Sequence, residues 1–383
     1  MTTNIPKSFK NFLAVDANKE QLFHILAVFL LQNHGNDKHL FCTYDDEVRA
    51  SPVALDIKGI SPCNHEEADS RMLLHVQHAV THGHSNVVIR TVDSDVVIIA
   101  VYTYRMIHGI QHLWIDFGVG KSRRYIAVHE ISTELPPYIS ENLPFFHAFT
   151  GCDTVATFCG IGKKSAWKTW KIFRDVDDCF KQLSIGSCGI DDVHFKALQR
   201  FVVLMYDRSS PCQNVNQCRR ILYTRRNRSI ENIPPTADAL LQHTLRAALQ
   251  AHIWTECLCP NAVNYSPADW GWKSVDGVRF EPLWSTLPDV TKYCRELIAC
   301  SCTSICKNCK CKRNKLQCTQ LCGCEGNCTR SQATLETSAI VQGEFEAETD
   351  GVVFDDFEEE SDIDEIDTID IIDIDSEEDD DSA

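Results

Sequence analysis

Three short blocks of the 383-residue chain carry residue types able to hold hard cations. In "HEEADSRMLLHVQHA" (His65–Ala79), Glu66, Glu67 and Asp69 place three carboxylates within four residues. Acids in the first turn of a helix are favoured by its dipole, which is the plain reading of this block taken alone. The second block is Asp93-Ser-Asp95, directly after the β-branched run "NVVIRTV". That run suits a buried parallel strand, and ligands of open α/β sheets bind where such strands emerge at their carboxyl ends. The third block, "FTGCDTVATFCGIGKKSAW", holds Asp153 and then Gly160-Ile161-Gly162-Lys163-Lys164. A glycine-rich turn between helices leaves backbone N–H groups able to hold a phosphate oxygen, with Lys163 and Lys164 supplying charge.

A different chemistry sits near the end. "CSCTSICKNCKCKRNKLQCTQLCGCEGNC" contains nine of the 20 cysteines: Cys300, Cys302, Cys306, Cys309, Cys311, Cys318, Cys322, Cys324 and Cys328. Three C-x-C pairs favour a shared cluster over separate tetrahedral sites. About three zinc ions fit, because nine thiolates, three of them bridging, fill the coordination positions of three tetrahedral ions. Such a cluster is anionic, and Lys307, Lys310, Lys312, Arg313 and Lys315 offset its charge. A zinc knot that serves only to fold the segment is the plainer role. Cys257, Cys259 and Cys294 lie outside the spacing and read as ordinary cysteines.

The elements that must position these residues follow from periodicity. Phe9, Phe12 and Leu13 have helical spacing, and Lys19–Leu31 continues as an apolar-rich helix. "HLFCTYDD" reads as a strand. Asn64 with Glu67 three residues on has the form of a capping box opening a helix over 65–82, with Ala68, Met72, Val76 and Val80 as its buried stripe. "SDVVIIAVYTYRM" is expected to be helical after Asp95, and "QHLWIDFG" with "SRRYIAV" to form a hairpin. Helices broken at "GCD" and "GIGKK" follow. Residues 191–297 read as mainly helical, with a basic patch "CRRILYTRRNRS". His75, His78 and His82 share a helical face but have no acid or cysteine at metal spacing. Trp270 and Trp272 could stack on a base, with buried packing the plainer role.

The three acidic blocks in this order resemble the 5′-nuclease superfamily, which includes flap endonucleases and the 5′-nuclease domain of bacterial DNA polymerase I. The matching residues are Glu67 and Asp69, Asp93 and Asp95, and Asp153 with the Gly160-Ile161-Gly162-Lys163 hairpin. The resemblance implies a PIN-like α/β fold, a three-layer parallel sheet with a helical hairpin. It also implies two divalent ions, Mg²⁺ or Mn²⁺, held by those acids for phosphodiester hydrolysis. Superfamily members carry a further metal-binding aspartate at the end of the first strand. Here Asp16 in "FLAVDANKE" is the candidate, yet the helical spacing before it makes Asp16 or Asn18 a helix cap, leaving the carboxylate set incomplete. The cysteine run resembles one half of the tesmin-like CXC module, found in DNA-binding and chromatin proteins. The chain is also similar to the C-terminal part of longer proteins derived from mobile elements, which implies a fragment lacking its first strand.

The expected organisation is N-terminal helices over 1–35, a PIN-like domain over 36–190 and a helical region over 191–297. A CXC zinc module over 298–330 and a disordered acidic tail over 331–383 complete it. The net charge of −17 is concentrated at one end. Glu344–Asp381 holds 21 acids and no Lys or Arg, which leaves the rest of the chain at +4. A mildly basic body could meet DNA, or RNA, while the tail opposes that. The start has no signal-peptide shape, and "ILAVFLL" is too short to span a bilayer, so no membrane partner is expected and a nuclear protein, with a cytoplasmic pool, is. Ile369–Ile372 with its flanking acids resembles a SUMO-interacting motif, making SUMO or chromatin proteins candidate partners of the tail. Function is thus read as nucleic-acid binding with metal-dependent nuclease chemistry. The alternatives are a non-catalytic DNA-binding or chromatin scaffold and an interaction protein acting through its tail.

Overall fold

The computed structural model describes residues 8–35, 38–185, 189–224, 232–277, 279–286, 300–302, 311, 318 and 322–324. Two compact units divide the chain. The first, up to Trp284, holds the acidic blocks, and the second, from Ser285, holds the described cysteines of the C-x-C run. The fold is mixed α/β with more helix than sheet, and among the described residues no helix is long and apolar enough to cross a membrane.

The first unit opens with α1 (Phe9–Leu13) and α2 (Asp16–Asn33). Asp16 therefore starts a helix, as its spacing predicts, although the cap position itself falls on Val15. Asn18 Nδ2 donates to Phe12 O and ties the two helices together. A hairpin follows, β1 (Leu40–Tyr44) against β2 (Glu47–Ser51). Next come α3 (Ala68–Thr81), β3 (Asn86–Thr91), α4 (Ser94–Thr103), β4 (His112–Phe117) and β5 (Arg124–Ala127).

β3 and β4 run parallel with α4 as their crossover, and β5 returns antiparallel to β4. The described sheet is thus three strands in the order β3-β4-β5, with one parallel pair and, between β4 and β5, the hairpin expected from the sequence. The reason is local. Gly118, with φ +81, turns the chain so tightly that a Cβ there would lie 2.7 Å from Ser122 O, so the strand doubles back instead of crossing over.

The core is helical. Val96 to Val101 of α4 are all wholly buried, so this helix is apolar on every side and packing overrides the low helix propensity of its β-branched residues. Around it lie α5 (Val128–Glu134) and α6 (Pro137–Thr150), where Phe145, Phe146 and Phe149 are fully buried. Then follow α7 (Lys163–Ile172), α8 (Asp177–Ile185), α9 (Asp192–Tyr206), α10 (Val215–Thr224), α11 (Ala237–Thr255) and a small hairpin, β6 (Trp272–Ser274) with β7 (Phe280–Pro282).

The boundary expected at residue 190 is not present. One hydrophobic core runs from Leu73 through Phe149 and Phe201 to Trp254 and Trp270, and α11 packs along α6 and α8. An amphipathic helix shows which face it buries but not what it buries that face against. Two local expectations also change. Asn64 exchanges hydrogen bonds with Ala262, donating to its carbonyl at 2.8 Å and accepting from its N–H at 3.0 Å. Glu67 takes the cap position of α3 with no side-chain cap bond. Of the expected stripe Val76 is buried and Met72 and Val80 pack against the main core, but Ala68 is exposed; Leu73 joins the main core and Leu74 a second one beneath the β1–β2 hairpin.

Candidate metal centre

The acidic blocks meet at the amino ends of α3 and α4. One carboxylate oxygen from each of Asp69, Asp93 and Asp95 lies within 4.8 Å of the other two. Asp69 stands in the first turn of α3. Asp93 leaves β3 and caps α4, its Oδ1 accepting from the Asp95 N–H at 2.8 Å. Asp95 is buried, and its Oδ1 accepts from Nε2 of His147 on α6 at 2.8 Å.

Glu67 and Asp153 complete the group. Glu67 does not cap its helix but accepts from Nε2 of Gln250 on α11, at 3.1 Å to Oε1 and 3.0 Å to Oε2. Gln250 Oε1 accepts in turn from Thr154 Oγ1 at 2.7 Å, so one side chain ties Glu67 to the loop that carries Asp153. Asp153 is exposed, yet its charge acts on Asp69, Asp93 and Asp95. The loop reaches this position because Gly151 has φ +121 and passes so close to Thr157 that a Cβ would lie 2.5 Å from its methyl group. The five predicted carboxylates therefore share one neighbourhood.

Their mutual repulsion is recorded in their protonation. Burial, then Asp93, Asp95, Glu67 and Asp153, push the Asp69 carboxyl up to about 7. Burial and the Asp95 charge raise Asp93 to about 6. Asp95 rises to about 6 through burial, held back by the Lys163 ammonium. Glu67 is raised by burial and opposed by its bonds to Gln250. His147 is pushed well below the usual imidazole range by burial and then by Lys163. It is therefore neutral, donating Nε2–H to Asp95, while its buried Nδ1 has no hydrogen-bond partner.

An acid raised in the folded state binds more protons there than in the unfolded chain, so stability falls as pH rises through its folded value. Ionisation of Asp93, Asp95 and Asp69 against one another therefore costs the metal-free protein stability from about pH 4 to about pH 7, whereas His75, His147 and His243, held by burial below the usual imidazole value of 6.5, add stability as pH rises over the lower part of that range. A melting temperature, taken with chelator present, that declines from pH 6.5, above which those histidines add nothing further, to pH 8 is the expected result. Mn²⁺ should recover the loss at pH 8 and have little effect at pH 5. A flat profile would show that the carboxylates do not repel.

The glycine-lysine turn behaves differently from its prediction. Gly160 and Gly162 precede α7, and Gly160 has φ +72. Lys164 is exposed, but Lys163 is 5 % exposed, and its Nζ donates to His147 O at 3.0 Å, to Thr150 Oγ1 at 3.3 Å and to Gly151 O. It closes the carboxyl end of α6, where helix carbonyls attract a cation, and is withdrawn from any phosphate at the turn. Of the predicted phosphate-binding lysines, the described structure leaves Lys164 at the surface.

Three contributions went unread in the sequence: His147, Gln250 and the inward role of Lys163. His147 interrupts "LPFFHAF", and Gln250 interrupts "AALQAHIW". A polar residue inside an apolar run must find a partner when buried, and that was the available signal. Gln250→Met, which keeps the packing and removes the hydrogen bonds, should raise the Glu67 carboxyl further. The midpoint of pH-dependent Mn²⁺ binding then moves upward, measured by titration calorimetry at several pH values. An unmoved midpoint would reduce Gln250 to a packing residue.

In the second unit, Cys300, Cys311, Cys318 and Cys322 bring their sulfurs within 4.8 Å of one another. Cys311 Sγ is 3.6 Å from Cys322 Sγ, and Cys300 Sγ is 4.0 Å from Cys318 Sγ. Thiolates around one tetrahedral zinc, at about 2.3 Å from the ion, stand about 3.8 Å apart. The described sulfurs thus have the spacing of a metal site such as zinc. Cys302 and Cys324 pack against the same group. Burial and the neighbouring Cys322 and Cys300 push the Cys311 thiol up to about 12, a crowding that a cation relieves. Cys306, Cys309, Cys328, Lys312, Arg313, Lys315 and the acidic tail lie outside the described residues.

Comparison with protein families gives no match, and neither do comparisons with curated proteins or with solved structures. The chemistry of the two sites carries the functional reading.

Proposed function

We propose that this chain binds nucleic acid, with a carboxylate centre suited to phosphodiester hydrolysis and a zinc CXC module that holds DNA. The observation that carries the reading is the convergence of Asp69, Asp93 and Asp95, oxygen donors from two helices crowded within 4.8 Å and relieved by a hard cation. When bound, divalent ions at such a centre activate water and stabilise the leaving oxygen of a phosphodiester. The protein's own residues do the rest. Asp69, Asp93 and Asp95 supply the ligand oxygens, His147 fixes the orientation of Asp95, and Gln250 holds Glu67 against the Asp153 loop.

A PIN-like body is the fold reading that best accommodates the parallel β3–β4 pair, the α4 crossover and acids at the carboxyl end of β3. For the second unit, the four grouped sulfurs support a zinc site, and the nine-cysteine spacing extends it to a three-zinc cluster. The test is cleavage of labelled single-stranded, branched and duplex DNA and RNA by the full chain with Mg²⁺ or Mn²⁺. Metal-dependent cutting is expected. Metal binding without cutting of any substrate would return the protein to a DNA-binding scaffold.

A further inference from the structure

Two helices of the first unit are apolar on every side, and only one of them is covered. Val96 to Val101 of α4 are wholly buried. α2 is as apolar, with no Asp, Glu, Lys or Arg from Gln21 to Asn33. Yet among its described side chains only Ala27 is buried, and Phe23, Ile25, Leu26, Val28, Phe29 and Leu30 are 37–66 % exposed. Six large apolar side chains within eight residues make a continuous patch, unlike the single exposed residues that every surface carries.

One side of α2 has its contacts. The helix packs on β1 and β2, and His24 belongs to that side, its Nε2 2.7 Å from Asp45 Oδ1 and its ring stacked on Tyr44 with centroids 4.2 Å apart. At 3.6 residues per turn, Leu22, Ile25, Leu26 and Phe29 lie on the side opposite Ala27. Their i, i+3, i+4, i+7 spacing is the stripe by which a helix packs on a neighbour.

Charge and area decide the neighbour. A lipid surface calls for a basic flank, whereas the amino-terminal turns of α2 carry Asp16, Lys19 and Glu20, net negative. A partner chosen by opposite charge would find none between Gln21 and Asn33. A two-fold contact with an identical helix needs that neutrality, because it sets residues near the axis against themselves and any charge there would repel its own copy. The six exposed side chains remove on the order of 500 Å² from water in each copy, or about 1,000 Å² for a pair, the size at which specific interfaces begin.

We infer that α2 is a dimerisation helix, which packs antiparallel on the α2 of a second copy of this chain. An antiparallel crossing near Leu26 sets the charged turn at Lys19 and Glu20 beside Gln32 and Asn33 of the other copy, so like charges stay apart. The inference is independent of the nuclease reading.

The test uses the full chain in reducing buffer with zinc. Sedimentation equilibrium at micromolar concentration should return twice the mass of the chain. Ile25→Glu combined with Phe29→Glu places four carboxylates about the axis and should weaken association by about a hundredfold or more. Both positions are exposed, so the fold is kept, which far-UV circular dichroism checks. Ile172→Glu, at an equally exposed apolar position on α7, should leave the dimer intact. Without any variant, amide exchange along Leu22–Leu30 should slow as concentration rises through the dimer range. A monomeric wild type, a dimer indifferent to the double variant, or one lost equally in Ile172→Glu would overturn the inference. A monomer whose α2 amides are protected only by phosphatidylcholine vesicles would give the face to lipid and overturn it as well.

Discussion

Asp93→Asn should abolish metal-dependent cleavage while leaving the protein folded. The substitution is clean for a structural reason. Asp93 caps α4 by accepting from the Asp95 N–H, and asparagine is as good a cap, so the helix keeps its start. What is removed is one of three oxygen ligands and one negative charge. Charge stabilisation by bound metal is worth several kcal/mol in the transition state, so a loss of about 10³-fold in rate is expected. The same variant should raise the melting temperature of the metal-free protein at pH 8, since it removes a charge that raises Asp69. The two effects have opposite signs, which separates a lost ligand from a damaged fold. They are read from single-turnover cleavage with Mn²⁺ and from thermal unfolding in chelator. Cleavage that survives Asp93→Asn would remove this centre from the reaction.

The second large effect concerns zinc. The purified full chain should carry about three zinc ions, measured by elemental analysis, and a strong chelator should unfold the second unit. Structural zinc binding is worth about 10–16 kcal/mol in small zinc modules, more than a segment this short can recover from its own core. Cys311→Ala should have the largest effect among the described cysteines of the second unit, because Cys311 is wholly buried beside Cys300 and Cys322. DNA binding, if this module provides it, should weaken steeply with salt as phosphate contacts release counterions. A stoichiometry of one zinc would confine the metal to the four grouped sulfurs and rule out the shared cluster.

Much of the site was legible because its parts are local. Asp93 and Asp95 stand two residues apart at a strand end, and the β-branched run before them marks that strand whatever surrounds it. The cysteine spacing likewise states a metal chemistry without any tertiary information. The Asn64–Glu67 capping box was misread for a related reason. The pattern was present, but a partner 198 positions away, Ala262, engaged Asn64. Lys163 was misread because a lysine after a glycine turn looks exposed until a buried helix end is placed beneath it.

By itself, then, the sequence determined the acids, their order, the strand and helices that carry them, and the thiol-rich spacing of the second unit. These follow from periodicities of a few residues and from side-chain chemistry, which do not depend on distant packing. Only the tertiary structure decided that the acids converge, that burial and mutual repulsion hold Asp69, Asp93 and Asp95 above the usual carboxylate range, and that His147 and Gln250 orient them. Gln250 lies 183 positions from Glu67 and reaches it because α11 packs along α6 in the shared core. Such contacts are set by how buried faces fit together, and a face shows in the sequence that it must be covered without showing by what.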